Sequence, residues 1–177
     1  AISLSKTVLL DEFLSGLPLQ EPIFEQVSFD HPLVILFSSG TTGIPKCIVH
    51  SQGGTLIQHL KEHIIHGNMT PNDVFFYYST TGWMMFNWLL GGLATGATIL
   101  LYEGNPVAPS VHRLWELIDR YGITIFGTSA KYLQNIEDVG FIPKIEFKLS
   151  TLKTIFSTGS ALKPSSFDYI YQKIKKD

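Results

Sequence analysis

Charge is missing from the middle of this chain. Residues 74–102 contain no Asp, Glu, Lys, Arg or His. That stretch outruns the ~20 apolar residues a membrane-spanning helix needs, but it is not uniform. Val74-Phe75-Phe76-Tyr77-Tyr78 is β-branched and aromatic, as strands are. Ser79-Thr80-Thr81-Gly82 is a turn, Trp83 to Ala94 reads as a helix closed by Thr95-Gly96, and Thr98–Tyr102 reads as a second strand. Irregular backbone facing lipid would leave peptide groups unpaired. The stretch therefore predicts a buried strand–helix–strand unit and no membrane span. Cysteine is scarce as well. A single residue, Cys47, excludes an internal disulfide framework and a Cys-based zinc cluster. On a strand it is expected to be a small buried residue. Excess charge of either sign is lacking too: 13 Lys plus Arg stand against 15 Asp plus Glu, a formal charge of −2. That excludes a broad basic footprint for nucleic acid and an acidic disordered tail. The N-terminus has neither Met nor a charged-then-apolar signal pattern. The chain also stops inside an apparent helix at Ile174-Lys175-Lys176-Asp177, and so reads as a piece of something larger.

What is present is enough for a core: 177 residues, 45% of them hydrophobic, suit one domain. Residues 1–31 read as an irregular connector with a short helix over Leu9–Leu17. Residues 32–66 read as a hairpin and a following helix, and 67–177 as a lobe in which strands alternate with helices. The predicted strands of the lobe are Val74–Tyr78, Thr98–Tyr102, Ile123–Thr128 and Thr154–Ser157. The helices are Met84–Ala94, Ser110–Tyr121, Ala130–Val139 and Pro164–Lys176. In the second helix Val111, Leu114, Trp115, Ile118 and Tyr121 form one stripe, with Ser110 as its cap and Gly122 as its stop. This alternation predicts an α/β fold: a parallel, doubly wound βαβ sheet of about four to five strands. Ligands of such sheets bind at the loops after the strands, here Ser79–Gly82, Glu103–Pro109, Ser129–Lys131 and Thr158–Ala161.

The most informative string precedes the lobe. Leu33-Val34-Ile35-Leu36-Phe37 has the look of a buried strand, and Ser38-Ser39-Gly40-Thr41-Thr42-Gly43-Ile44-Pro45-Lys46 follows it. Glycines let the backbone curl with its N–H groups inward, hydroxyls add donors, and the lysine adds charge, as a nest for phosphate oxygens requires. Ser, Thr and Gly also make ordinary hairpin loops. The ordered combination with Pro45-Lys46, directly after the strand, favours phosphate. It is not the P-loop of ATPases and GTPases, because Pro45 stands where the second glycine belongs and Cys47 where the Ser or Thr would be. Cys47-Ile48-Val49-His50 is β-branched, so the loop should join two antiparallel strands, 33–37 and 47–50.

Ser38 to Lys46 resembles the phosphate-loop signature of the adenylate-forming superfamily of acyl-coenzyme A synthetases, luciferases and peptide-synthetase adenylation domains. The wider strings Leu36–His50, Gly53–His63 and Gly82-Trp83-Met84-Met85 look closer to the acetoacetate-activating branch. The resemblance covers roughly residues 30–177. It implies one lobe of an adenylate-forming N-terminal domain, and a ligase that joins a short carboxylic acid to ATP and then to coenzyme A. It further implies Mg2+ held outside this chain, a cytosolic setting and the remainder of a parent enzyme as partner. On the resemblance, Lys46, Thr41 and Thr42 are catalytic. Ser38, Ser39, Gly40, Gly43, Thr158, Gly159, Ser160 and Ala161 join them around the nucleotide. Trp83, Met84, Met85 and Thr158 line the acyl pocket, and Ser129 approaches coenzyme A. Related acetate-using enzymes carry Gly-Glu-Pro where this chain has Gly159-Ser160-Ala161, and a smaller Val-Thr pair in place of Met84-Met85. The family's magnesium-holding glutamate, ribose-gripping aspartate and lid lysine are not found in residues 1–177, so the isolated chain is expected to be inactive. A lobe cut from its neighbour should also expose apolar surface and self-associate.

Two other readings compete. One is a non-catalytic nucleotide-binding or structural fragment. The other is a zinc peptidase, because His59-Leu60-Lys61-Glu62-His63 fits H-x-x-E-H, with both histidines on one helix face and Glu62 as base. It would need a third ligand, for which Glu137 is the only distant candidate. Asn68-Met69-Thr70 matches a glycosylation sequon by chance at a helix end.

Overall fold

The computed structural model describes residues 7–18, 20–38 and 43–176. Its elements are α1 (Leu10–Leu14), β1 (Pro32–Ser38), β2 (Lys46–Ser51), α2 (Gln52–Leu60), β3 (Val74–Tyr77), α3 (Met84–Gly91), β4 (Thr98–Leu100), α4 (Arg113–Tyr121), β5 (Ile125–Ser129), α5 (Ala130–Asp138), α6 (Pro143–Glu146), β6 (Thr154–Thr158) and α7 (Pro164–Tyr169). A wider π turn, Lys61–His66, extends α2, and another, Ile170–Ile174, extends α7.

β1 and β2 form a two-stranded antiparallel hairpin, with Ser38 opposite Lys46 and Ile35 opposite Val49. Ser51 caps α2 by accepting a hydrogen bond from the Gly54 N–H at 3.2 Å. The other strands form a separate four-stranded sheet, ordered β4-β3-β5-β6 and parallel throughout. Side chains alternate across it. Phe75 and Tyr77 face one side with Met85, Trp88 and Leu89 of α3. Phe76 and Phe126 face the other, with Trp115 and Ile118 of α4, Leu133 and Ile136 of α5, and Tyr169. The sheet is thus wound on both faces. The order of winding reverses between β3 and β5, since β4 is added on one side of β3 and β5 on the other, the kind of place where such sheets bind ligands. No helix among the described residues is long and apolar enough to cross a membrane.

Several local expectations need correction. The run Leu33–Phe37 is only half covered. Val34 and Leu36 are half-buried where α2 packs on β1, while Leu33, Ile35 and Phe37 are exposed. Cys47, opposite Phe37 on the same hairpin, is exposed and not a core residue. Helix α4 begins at Arg113, and Ser110 spends its hydroxyl on the His112 N–H at 3.2 Å without capping the helix. Gly122 does end it, in the left-handed conformation at φ 62°. Ile123 N–H bonds the Ile118 carbonyl oxygen and so belongs to that helix end, which delays β5 to Ile125. Only Pro164–Tyr169 of the last predicted helix is regular α-helix. The short helix α6, opened by Pro143, has no counterpart among the helices the sequence predicts.

Candidate functional site

The phosphate-loop candidate is closed at its base by β-pairing. Ser38 ends β1 half-buried, Lys46 begins β2 exposed, and the two are partners across the hairpin. Gly43 has φ 120°, a conformation that side chains disfavour. Ser39, Gly40, Thr41 and Thr42 lie outside the described residues.

The other predicted residues gather at the C-terminal ends of the parallel strands. Ser129, the last residue of β5, is the register partner of Thr158, the last residue of β6. Ser129 also caps α5, its hydroxyl accepting from the Tyr132 N–H at 3.1 Å. Gly159 follows Thr158 with φ 93°, and a Cβ built there would lie 3.8 Å from Cζ2 of Trp83. The structure therefore brings the Thr158-Gly159 turn against Trp83, although Gly159 and Trp83 are 76 positions apart in the sequence. Ser160 and Ala161 are exposed beyond the turn. Met84 is 49% exposed, whereas Met85 is 9% exposed and packs in the core beside Trp88 and Tyr77. Of the methionine pair, Met84 is the one free to meet a ligand.

Beside this edge, a cleft of about 580 Å³ opens between the ends of β3 and β4. Tyr77, Tyr78, Thr81, Phe86, Tyr102 and Glu103 are among its walls. Burial, helped by the nearby Tyr102, pushes the Tyr78 phenol above its ordinary range. Its hydroxyl donates to the Gly104 carbonyl oxygen at 3.1 Å. Burial likewise raises Tyr77, whose hydroxyl donates to the Thr128 carbonyl oxygen at 3.0 Å and ties β3 to β5. From the sequence, the tyrosines read only as strand residues. Their position at the strand ends, before the Ser79–Gly82 turn, was the available signal.

His59, Glu62 and His63 do not make a metal centre. His63 Nε2 is 2.9 Å from the Trp88 carbonyl oxygen, and Glu62 Oε2 accepts the Trp88 indole N–H at 2.8 Å. Glu137 belongs to α5, on the opposite side of the sheet, and accepts from Ser166 Oγ at 2.9 Å. Among the described residues no three His, Cys, Asp or Glu side chains gather to hold a metal ion.

The family model for AMP-binding enzyme matches residues 4–176. The acetoacetyl-CoA synthetase of Danio rerio is 61% identical over 87% of this chain and 23% of its own length. The malonamoyl-CoA synthetase vrtB of Penicillium aethiopicum is 44% identical over 95% of this chain and 25% of its own. Among solved structures, acetoacetyl-CoA synthetase from Streptomyces lividans superposes with a TM-score of 0.82 at 46% identity, covering 92% of this chain and 25% of that one. The chain spans about a quarter of the length of the relatives it matches.

Proposed function

Because the chain belongs to the AMP-binding enzyme family, we propose that it is part of an acid–thiol ligase that activates a short carboxylic acid, acetoacetate first among the candidates, with ATP and passes the acyl group to coenzyme A. Residues 32–66 supply the phosphate-loop hairpin and following helix, and 67–177 the βαβ lobe, within a larger AMP-binding domain. The observation that carries this reading is the pairing of Ser38 with Lys46 at the base of a Ser/Thr/Gly loop, in a chain whose residues 4–176 match the family.

The chemistry follows from charge. When a carboxylate attacks the α-phosphorus of ATP, negative charge grows on the departing pyrophosphate. Donors and cations already in place there lower the barrier without reorganising. The Lys46 ammonium and the donors of residues 38–43 hold those oxygens. The Thr158–Ala161 turn contacts the adenine, with Gly159 bringing its backbone close. Trp83, Met84 and Thr158 wall the acyl group, and Ser129 lies near the path of coenzyme A. Mg2+ supplies further neutralisation of the phosphates when bound. Its protein ligands, in this reading, lie in the rest of the enzyme, outside residues 1–177. The setting we propose is the cytosol. The exposed Leu33, Ile35 and Phe37 give the isolated chain a surface for self-association.

The test is acetoacetate-dependent exchange of labelled pyrophosphate into ATP. The full-length enzyme should catalyse it and residues 1–177 alone should not. A full-length enzyme that exchanges with no short acid rejects the reading, and exchange by the isolated chain rejects the division of labour.

A further inference from the structure

The string His59–His63 takes no part in phosphate chemistry, but the structure gives it a defined partner. Trp88 is held at both ends. Its indole N–H donates to Glu62 Oε2 at 2.8 Å, and its carbonyl oxygen lies 2.9 Å from His63 Nε2. That oxygen can only accept, so Nε2 carries the proton, while Nδ1 is buried without a hydrogen-bond partner. The His63 and Trp88 rings lie 4.2 Å apart between centroids. His59 fills the space a Cβ on Gly91 would need, and Gln58 Nε2 donates to Glu62 Oε1 at 2.7 Å. The face that suggested a metal site therefore docks α2 and its π turn onto α3.

Helix α3 needs such docking. Its sequence, Met84-Met85-Phe86-Asn87-Trp88-Leu89-Leu90-Gly91, is apolar almost all round, and Trp83 gives it no side-chain cap. Burial alone does not select one rotation of a helix without a polar face. Two directional hydrogen bonds to one residue do. Trp88 transmits the choice: its ring meets Phe156 edge-on at 5.4 Å and Tyr77 at 5.9 Å. Phe156 stands two residues before Thr158, on the same face of β6. Trp83 and Met84 lie about one turn before Trp88.

We infer that Glu62 and His63 are positioning residues for carboxylate selectivity, acting through Trp88 to set the wall formed by Trp83, Met84 and the Thr158-Gly159 turn. The inference rests on the proposed ligase function.

The experiment uses the full-length enzyme with Glu62→Ala, Glu62→Gln, Trp88→Phe and the double variant Glu62→Ala/Trp88→Phe. KM is measured separately for acetoacetate and for ATP by pyrophosphate exchange. Glu62→Ala and Trp88→Phe should each raise the acetoacetate KM about tenfold, the worth of a hydrogen bond to a charged group. The double variant should be no worse than either single one, since both remove the same bond. Glu62→Gln, whose amide oxygen still accepts the indole N–H, should stay near wild type, and the ATP KM should hold in every variant. If Glu62→Ala does not fold, Trp88→Phe reads the same bond from its other end. An unchanged acetoacetate KM, or equal rises for acetoacetate and ATP, overturns the inference while leaving the ligase reading intact. A wild-type enzyme that exchanges with no short acid overturns both.

Discussion

Tyr77 and Gly127 are register partners across β3 and β5, and the Tyr77 ring occupies the volume that a Cβ on Gly127 would need. The ring lies against bare backbone, and its hydroxyl reaches the Thr128 carbonyl oxygen at 3.0 Å. This contact sits where the sheet reverses its winding, at the foot of the cleft walled by Tyr77, Tyr78 and Tyr102. Gly127→Ala should therefore behave as an overpacked core substitution and cost about 3 kcal/mol. Urea unfolding followed by far-UV circular dichroism measures it. In the Tyr77→Ala background the added methyl should cost far less, because the ring it displaces is gone.

Lys46 is exposed at the start of β2, so its removal should leave the fold alone and act on chemistry. In the full-length enzyme, Lys46→Ala should slow pyrophosphate exchange by about 10²-fold, the effect of losing one preorganised donor in a polar transition state. Unfolding free energy should stay within about 0.5 kcal/mol of wild type, as for ordinary surface changes. Normal exchange by this variant would remove Lys46 from the phosphate site.

Asp73 anchors the opposite end of the sheet. Burial alone would raise its carboxyl. The Thr124 hydroxyl at 2.8 Å, the Thr70 hydroxyl and N–H, and the Lys153 ammonium at 3.1 Å outweigh that and hold it at about 2 against an ordinary 3.8. A carboxyl depressed in the folded state stabilises it above the unfolded value and loses that contribution as pH falls through the folded one. The window is thus roughly pH 4 down to 2, and its depth about 2 kcal/mol. The stability gap between wild type and Asp73→Asn should shrink by that amount across the window in urea titrations at stepped pH.

The hairpin and the alternation of strands and helices were legible because each is a local pattern. A turn-rich loop between β-branched runs, or apolar stripes closed by Gly122, carries its own evidence. What lay beyond reading is set by contacts far apart in the chain. The spacing of His59, Glu62 and His63 says that they share a helix face. Nothing in it says that the face meets Trp88. Trp83 and Gly159 are likewise joined only by the packing of α3 on the sheet that contains β6. Cys47 and Ile35 read as buried because an apolar run is ambiguous about its second face, and here a two-stranded hairpin leaves that face open. Tyr77 read as a strand residue because nothing local announced that Gly127 would lie beneath it.

His63 makes the last prediction, because its protonation opposes its packing. Burial is the main reason its imidazole titrates below the ordinary 6.5. The hydrogen bond to Trp88 and the charge of Glu62 work the other way, and His59 adds to the lowering. His59 is itself lowered by burial, against the pull of Glu62. A histidine depressed in the folded state stabilises it above its unfolded value and loses that contribution as pH falls toward the folded one. Unfolding free energy should begin to drop below about pH 6.5, well before the Asp73 window opens, with a slope of at most about 1.4 kcal/mol per pH unit for each such proton. His63→Gln keeps an N–H donor for the Trp88 carbonyl oxygen but has no proton to gain. Its profile should be flatter than wild type between pH 6.5 and 4.5, set only by His59 and weaker contributors. Stepped-pH urea unfolding of both proteins measures this, and parallel profiles would mean that His63 is not held neutral by its burial against Trp88 and Phe75.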